Sequence, residues 1–384
     1  MNGEAAEGGN GERPPGLSVE ESTAAPAPEA LPAGKTDISV SRGFAAWLGR
    51  TRCSLAFTSY QTGQLFLVGL LPEGKVSFHQ QNYVRAMGVH ATSQRIYLGS
   101  LFQIWRLENV LGPAERANEH FDRLYVPRNA QTIGDVDVHE LSVDRAGRVI
   151  FVNSRYSCLA TMSVTHGFKP LWKPPFISRL AGEDRCHLNG LAMADGAPAY
   201  VTAVSRSDVL NGWRDRRHEG GVLIDVRTDT IVTDQLSMPH SPRVGPDGRI
   251  WLLDSGRGML VRIDPDTGSR EDVAFCPGFL RGLALHGGYA VATVSLPRDG
   301  AFSGLALQDE LKKRDGEPWC GVCIVDLRSG DLVEWIRLSG AINELFDVAI
   351  VPDTICPMAL GIGSPEIQSL HSFDAEFGPL VPPS

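Results

Sequence analysis

The chain reads as an all-β, six-bladed β-propeller whose closing blade is shared between N- and C-terminal strands. The first observation behind this is a gapless internal repeat. Val244-Gly-Pro-Asp-Gly-Arg-Ile-Trp-Leu-Leu-Asp-Ser aligns with Val143-Asp-Arg-Ala-Gly-Arg-Val-Ile-Phe-Val-Asn-Ser. The second is a set of looser copies: Asn189-Gly-Leu-Ala-Met, Arg281-Gly-Leu-Ala-Leu, Phe346-Asp-Val-Ala-Ile and Arg85-Ala-Met-Gly-Val. The six start points lie roughly 40–65 residues apart, close to a propeller blade period with loop insertions. The third is the prevalence of short strands bounded by turn residues, with little helical periodicity.

Ser237–Ser269 is the clearest unit. A first strand at Ser241–Val244 meets a Gly-Pro-Asp-Gly turn, and Arg249–Asp254, Met259–Ile263 and Arg270–Phe275 follow. In Pro-Asp-Thr-Gly the proline presets φ and the glycine supplies φ > 0. A four-stranded sheet of this size buries both faces only when copies stack radially.

Taken in order, residues 1–38 are rich in Gly, Glu, Ala and Pro, and are expected to be a disordered tail because they hold too little apolar surface to offset ordering entropy. The propeller is expected over 39–362. Leu55–Tyr60, Gln64–Leu70 and Lys75–His79 are three strands of a blade whose first strand, Phe346–Ile350, comes from the other end of the chain. Pro357–Ile362 is a further strand near this closure. Blade one starts at Arg85, with strands Arg95–Gly99 and Gln103–Leu107 and a polar candidate helix at Glu108–Asp122. Blade two starts at His139, with Arg148–Val152 and Cys158–Ser163. Blade three starts at Asn189, with Ala199–Ala203, Gly221–Val226 and Ile231–Gln235, interrupted by the insertion Ser205–Gly220. Blade five starts at Arg281 and carries Tyr289–Val294, Gly321–Asp326 and Asp331–Arg337. Its insertion, Pro297–Trp319, has a short helix at Leu305–Lys313. Residues 363–384 are a C-terminal extension, with Phe373 and Phe377 as candidates to dock on the propeller.

A net charge of −9 argues against a general nucleic-acid or membrane-surface partner. No apolar run reaches the ~18 residues of a spanning helix. The N-terminus lacks the basic and apolar regions of a secretory signal, so a cytoplasmic protein is expected. Seven scattered cysteines, an odd number without a framework, fit reduced thiols. Cys320-Gly-Val-Cys323 has no second pair to complete a zinc site and reads as two strand-borne thiols.

In a propeller the first strands line the central channel. One slot at its mouth collects Arg85, His139, Asn189, His240, Arg281 and Phe346; two residues earlier, on the same side by the period-two rule, stand Tyr83, Asp137, His187, Met238, Phe279 and Glu344. His139, Asn189 and His240, with His187 beside them, form a candidate set for Zn, Fe, Mn or Cu. Asp137 and Glu344 are candidate proton carriers, and Arg85 and Arg281 offer planar forks to a carboxylate or phosphate. Arg155 and Arg257, after the second strands of blades two and four, are expected on the same face. So are the basic residues of the insertions around Trp213. An acidic chain that gathers cations over one face points to a small anionic ligand.

Through Asn189-Gly-Leu-Ala and the Asp-Gly-Arg-Ile-Trp pattern, the chain distantly resembles the gluconolactonase and senescence-marker-protein group of six-bladed propellers. That resemblance implies a divalent metal bound at the Asn189 slot together with carboxylates from other blades. Here His139 and His240 stand where acidic ligands would be expected, which shifts the expectation toward a transition metal. Cys186-His-Leu-Asn-Gly-Leu-Ala, with Arg128-Asn, is more similar to a family of bacterial propellers of unknown function. This second resemblance implies the fold and no activity.

Two functions are therefore expected. One is a metal-dependent enzyme acting on a small anion at the channel mouth, a hydrolase by preference, with an oxidative variant on the same ligands. The other is a scaffold that binds a protein or peptide through its top-face loops.

Overall fold

The computed structural model describes residues 35–297 and 304–373. Six sheets are arranged as six blades. Blade six joins Val348–Pro352 to Cys53–Ser59, Gln64–Leu70 and Val76–Asn82, so the C-terminal strand is innermost and the N-terminal strands complete the sheet. This is the expected closure, with its register fixed by Leu55 opposite Ile350 and Phe57 opposite Val348.

The second strands of the blades are apolar on both faces for a simple reason. Successive side chains point to opposite faces, and each face meets a different neighbouring blade. In blade six, Leu55 and Phe57 pack against Val291, Val322 and Ile324 of blade five, whereas Ala56, Leu65 and Leu67 pack against Ile96 and Leu98 of blade one. The same alternation produces further clusters between blades one and two, two and three, three and four, and four and five. The core is thus a ring of interblade layers.

The glycine of the Asn-Gly-Leu and Arg-Gly-Leu repeats has its cause at the axis. A Cβ on Gly190 would lie 2.4 Å from Pro242 Cδ and 2.9 Å from the Ser241 nitrogen. On Gly282 it would lie 2.6 Å from Asp347 Cα. Inner strands of adjacent blades approach too closely there for a side chain.

Several expectations are corrected. Of the tail expected over 1–38, residues 1–34 lie outside the described residues. Thr36–Val40, however, is a strand, paired antiparallel with Leu332–Gly340 as a fifth strand of blade five. Its alternation drives this, since Ile38 and Val40 face the cluster between blades five and six. Phe44–Thr51 then forms a helix whose Phe44, Trp47 and Leu48 share one buried face. Glu108–Asp122 is not helical. The third strand of blade one extends to Asn109, and Gly112-Pro113 falls where a helix would have to continue. A fourth strand follows at Arg123–Thr132. Pro357–Ala359 belongs to blade one, parallel to Arg123–Tyr125, and packs against the third and fourth strands of blade six without joining that sheet. The insertion in blade five forms a helix at Leu307–Lys313. Phe373 is exposed rather than docked, and Phe377 lies outside the described residues. All seven cysteines are buried, unpaired thiols. No helix among the described residues is long and apolar enough to cross a membrane.

Candidate functional site

At one mouth of the channel lies a cavity of about 520 Å³. Its walls come from the segments that enter the inner strands (Arg85, Asp135, Asp137, His187, Met238 and Phe279) and from loops after the second strands (Arg155, Trp213, Arg214 and Arg217). His139, His240 and Arg281 face it from the inner strands, Met87 and Phe346 from just before theirs, and Tyr60 and Asp184 complete it.

A repeated backbone kink builds this mouth. Arg85, Asp137, His187 and Met238 all adopt left-handed φ, at 52°, 57°, 50° and 48°. Such values are uncommon outside glycine and cost energy. They also settle the register. The kink residue is followed two positions later by Met87, His139, Asn189 and His240. Arg85 therefore belongs with Asp137 and His187, and Met87 takes the slot expected for Arg85. A slip of two residues leaves the period-two pattern intact, so alternation alone does not separate Arg85 from Met87.

His139 and His240 are equivalent in their contacts as well as in the repeat. His139 Nδ1 lies 3.1 Å from the Asp137 carbonyl and 2.8 Å from Ser154 Oγ. His240 Nδ1 lies 2.8 Å from the Met238 carbonyl and 3.0 Å from Ser255 Oγ. A carbonyl only accepts, so each ring carries its proton on Nδ1 and keeps the Nε2 lone pair. Burial pulls the His139 imidazole down to about 4, against the opposing pull of Asp137. Burial lowers His240 as well, and the neighbouring His139 and Arg281 add to it. Both rings are neutral at pH 7.

His187 differs. Burial pulls its imidazole down, but the Asp184 carboxylate outweighs this and raises it. Its Nδ1 lies 2.9 and 3.0 Å from the two Asp184 oxygens, and Trp213 Nε1 donates to the same carboxylate at 2.8 Å. The Trp213 indole stacks on the His187 ring at 4.2 Å. His139 and His187 meet edge to face at 4.7 Å.

One donor atom from each of Asp137, His139 and His187 lies within 4.8 Å of the others. This is a different set from the one expected. His240 lines the same cavity, with its ring 6.4 Å from that of His139, but stands outside the cluster. Asn189 is turned away: its Oδ1 accepts from Thr202 at 2.8 Å, and it is absent from the cavity wall. Glu344 is absent from the wall too, its carboxylate accepting from Tyr60 at 2.5 Å and pairing with Arg281 at 3.2 Å. Arg257 is held elsewhere by Asp254 and Asp272. Arg155 does line the cavity. Arg85 grips Asp135 with two bonds and Asp137 with one, at 2.9–3.2 Å. Asp135, Asp184 and Tyr60 were missed by the sequence reading. Asp184 lies three residues before His187, but the loop spacing alone carries no pairing signal.

Glu140, next in sequence to His139, points the other way. With Arg243 and His90 it lines a second cavity of about 320 Å³, so the acidic–basic pair Glu140–Arg243 stands outside the first site.

With this geometry in hand, the comparison with known families is decisive on one point. A family described as a domain of unknown function, DUF4915, matches residues 42–360. The chain belongs to the DUF4915 family. That span runs from the helix Phe44–Thr51 to the end of the parallel strand of blade one, so the family domain contains all six blades and every residue of the site. No curated protein matches the chain. Among solved structures, similar folds include a chain of a nidogen/laminin complex (12% identity, 79% of this chain and 99% of that one, TM-score 0.49). A catalytically inactive virginiamycin B lyase from Staphylococcus aureus with quinupristin is also similar (9%, 79% and 99%, TM-score 0.38). So is a streptogramin B lyase (12%, 74% and 76%, TM-score 0.39).

Proposed function

We propose that the mouth cavity is the active site of a metal-dependent enzyme, a hydrolase by preference, acting on a small anionic substrate, with Asp137, His139 and His187 as the ligands of a divalent transition metal. The observation that carries this reading is the convergence of these three donors from two adjacent blades. The donor chemistry fits Zn, Fe, Mn or Cu: two imidazoles and a carboxylate, with His139 neutral and its Nε2 lone pair available. Asp184 supports the reading as the carboxylate that fixes the tautomer and orientation of His187, the usual companion of a ligating histidine. A bound metal of this kind lowers the pKa of its water toward ~7 and thereby supplies hydroxide at neutral pH.

The chain's own residues complete the site. Arg85 holds the Asp137 carboxylate in place at 3.0 Å. His240, neutral and carrying a free Nε2, is the candidate proton acceptor. Arg155, on the cavity wall, adds positive charge toward an anion. Arg281 is buried against Tyr60, Phe279 and Phe346, and Glu344 balances its charge. The scaffold reading is weaker because Trp213, the aromatic anchor expected to meet a partner, is buried against His187.

The test is metal analysis by mass spectrometry of tag-free protein, beside His139→Ala and His187→Ala. Near-stoichiometric metal in the parent, lost in both variants, is the expected result. A metal-free parent that stays so after reconstitution would overturn it. A redox-active metal rather than zinc would move the chemistry to the oxidative variant.

A further inference from the structure

We infer that the ligand of the mouth cavity pairs an oxyanion head, a carboxylate or a phosphate, with a flat apolar body, and that Arg214 reads the head. The inference rests on the reading of this cavity as the active site and narrows its substrate class.

The charge balance of the wall comes first. It holds five arginines against three aspartates. Much of this is already committed. Arg85 is taken by Asp135 and Asp137, and Arg281 by Glu344 behind the wall. Arg214 is different. Its guanidinium rests 4.6 Å over the Trp213 ring, and among the described residues no carboxylate pairs with it. It stands on the blade-three insertion, over the indole that itself stacks on His187, which puts a cation near the donor cluster. A guanidinium in such a setting recognises a planar or tetrahedral oxyanion with two parallel bonds.

The shape of the remaining wall selects the body. Phe346 meets His139 at 5.2 Å and Tyr60 at 5.3 Å, and Met87 and Met238 also line the cavity. Aromatic rings and thioethers give this side of the wall a polarisable, apolar character that suits a flat apolar group. At about 520 Å³ the cavity has the size of a small-molecule site, larger than a bare inorganic anion requires.

The experiment uses the full chain after EDTA treatment, so that binding is read without the metal. Calorimetric titrations compare benzoate and phenyl phosphate with their parts: acetate, inorganic phosphate and neutral benzyl alcohol. At least one of the two combined ligands is expected to bind about tenfold or more tightly than either of its parts, that is by about 1.4 kcal/mol. Arg214→Gln is expected to weaken that ligand about tenfold and leave benzyl alcohol unchanged. Arg214→Lys should restore part of the loss. Arg214 is exposed, so neither variant disturbs the core. The stronger of benzoate and phenyl phosphate names the head group. The inference is overturned if benzyl alcohol binds as well as the anions, if neither combined ligand binds, or if Arg214→Gln changes nothing. Metal content of the same preparation before EDTA decides the metal reading separately, so either can fail while the other stands.

Discussion

His187 and Asp184 are joined by a two-oxygen contact: Nδ1 of the ring lies 3.0 Å from one carboxylate oxygen and 2.9 Å from the other. The same carboxylate accepts the Trp213 indole hydrogen. Asp184 therefore ties the blade-three insertion to a candidate ligand. Asp184→Ala is expected to lower metal affinity about 10–100-fold, the usual cost of removing the carboxylate that orients a ligating imidazole. Competitive titration against a chromophoric chelator measures it. Unchanged affinity would remove Asp184 from the metal reading.

The distinction between His139 and His240 gives a sharper test. Both lie in the cavity, but only His139 belongs to the donor cluster. His240→Ala is expected to retain the metal and lose turnover by about 10²–10⁴, the range for a positioned acid–base group. His139→Ala is expected to lose the metal. Metal content and single-turnover rates on the same preparations separate the two, and equal metal loss would assign His240 to the ligand set.

Asp347 offers a pH prediction away from the mouth. Its carboxylate accepts from the Val89 and Val348 amides at 2.8 Å, and burial pushes it up to about 7, assisted by Glu140 and opposed by Arg243. The folded chain thus holds this proton more tightly than the unfolded chain does. The associated stability is complete below about pH 4 and is lost as pH rises to about 7. Asp347→Asn should flatten the unfolding temperature between these values and raise stability at neutral pH, by at most about 4 kcal/mol. Thermal unfolding from pH 4 to 8 checks it. An unaltered pH profile would remove Asp347 as its source.

Gly282→Ala probes the crowded axis. Its Cβ would meet backbone atoms of Asp347 and Val348 at 2.6 Å, which a rotamer change cannot relieve. A loss of about 3 kcal/mol, the upper end of overpacking costs, is expected in urea unfolding. A neutral result would mean that the inner strands of blades five and six can separate.

Much of the fold is legible in the sequence because the same physical demand recurs six times. Leu55, Ala56 and Phe57 must all be apolar, since one strand serves two interblade layers, and the turns between strands carry glycine and proline for their backbone angles. Less of the site is legible. That His139 and Glu140 face opposite cavities follows from strand alternation. That Arg85 falls out of register with His139 does not, because the loose repeat around Arg85 aligns equally well two residues out, and only the shared left-handed angle pairs Arg85 with Asp137.

The sequence by itself determined the six blades, their order and their closure by the C-terminal strand, because burial on both faces of every blade writes a repeated apolar pattern into the chain. Only the tertiary structure decided which channel residues meet. Four left-handed kinks, at Arg85, Asp137, His187 and Met238, aim the mouth residues, and the folded loop carrying Asp184 and Trp213 brings a carboxylate against His187. Those contacts depend on backbone angles and on loops packed from separate parts of the chain, which residue identity and spacing do not encode.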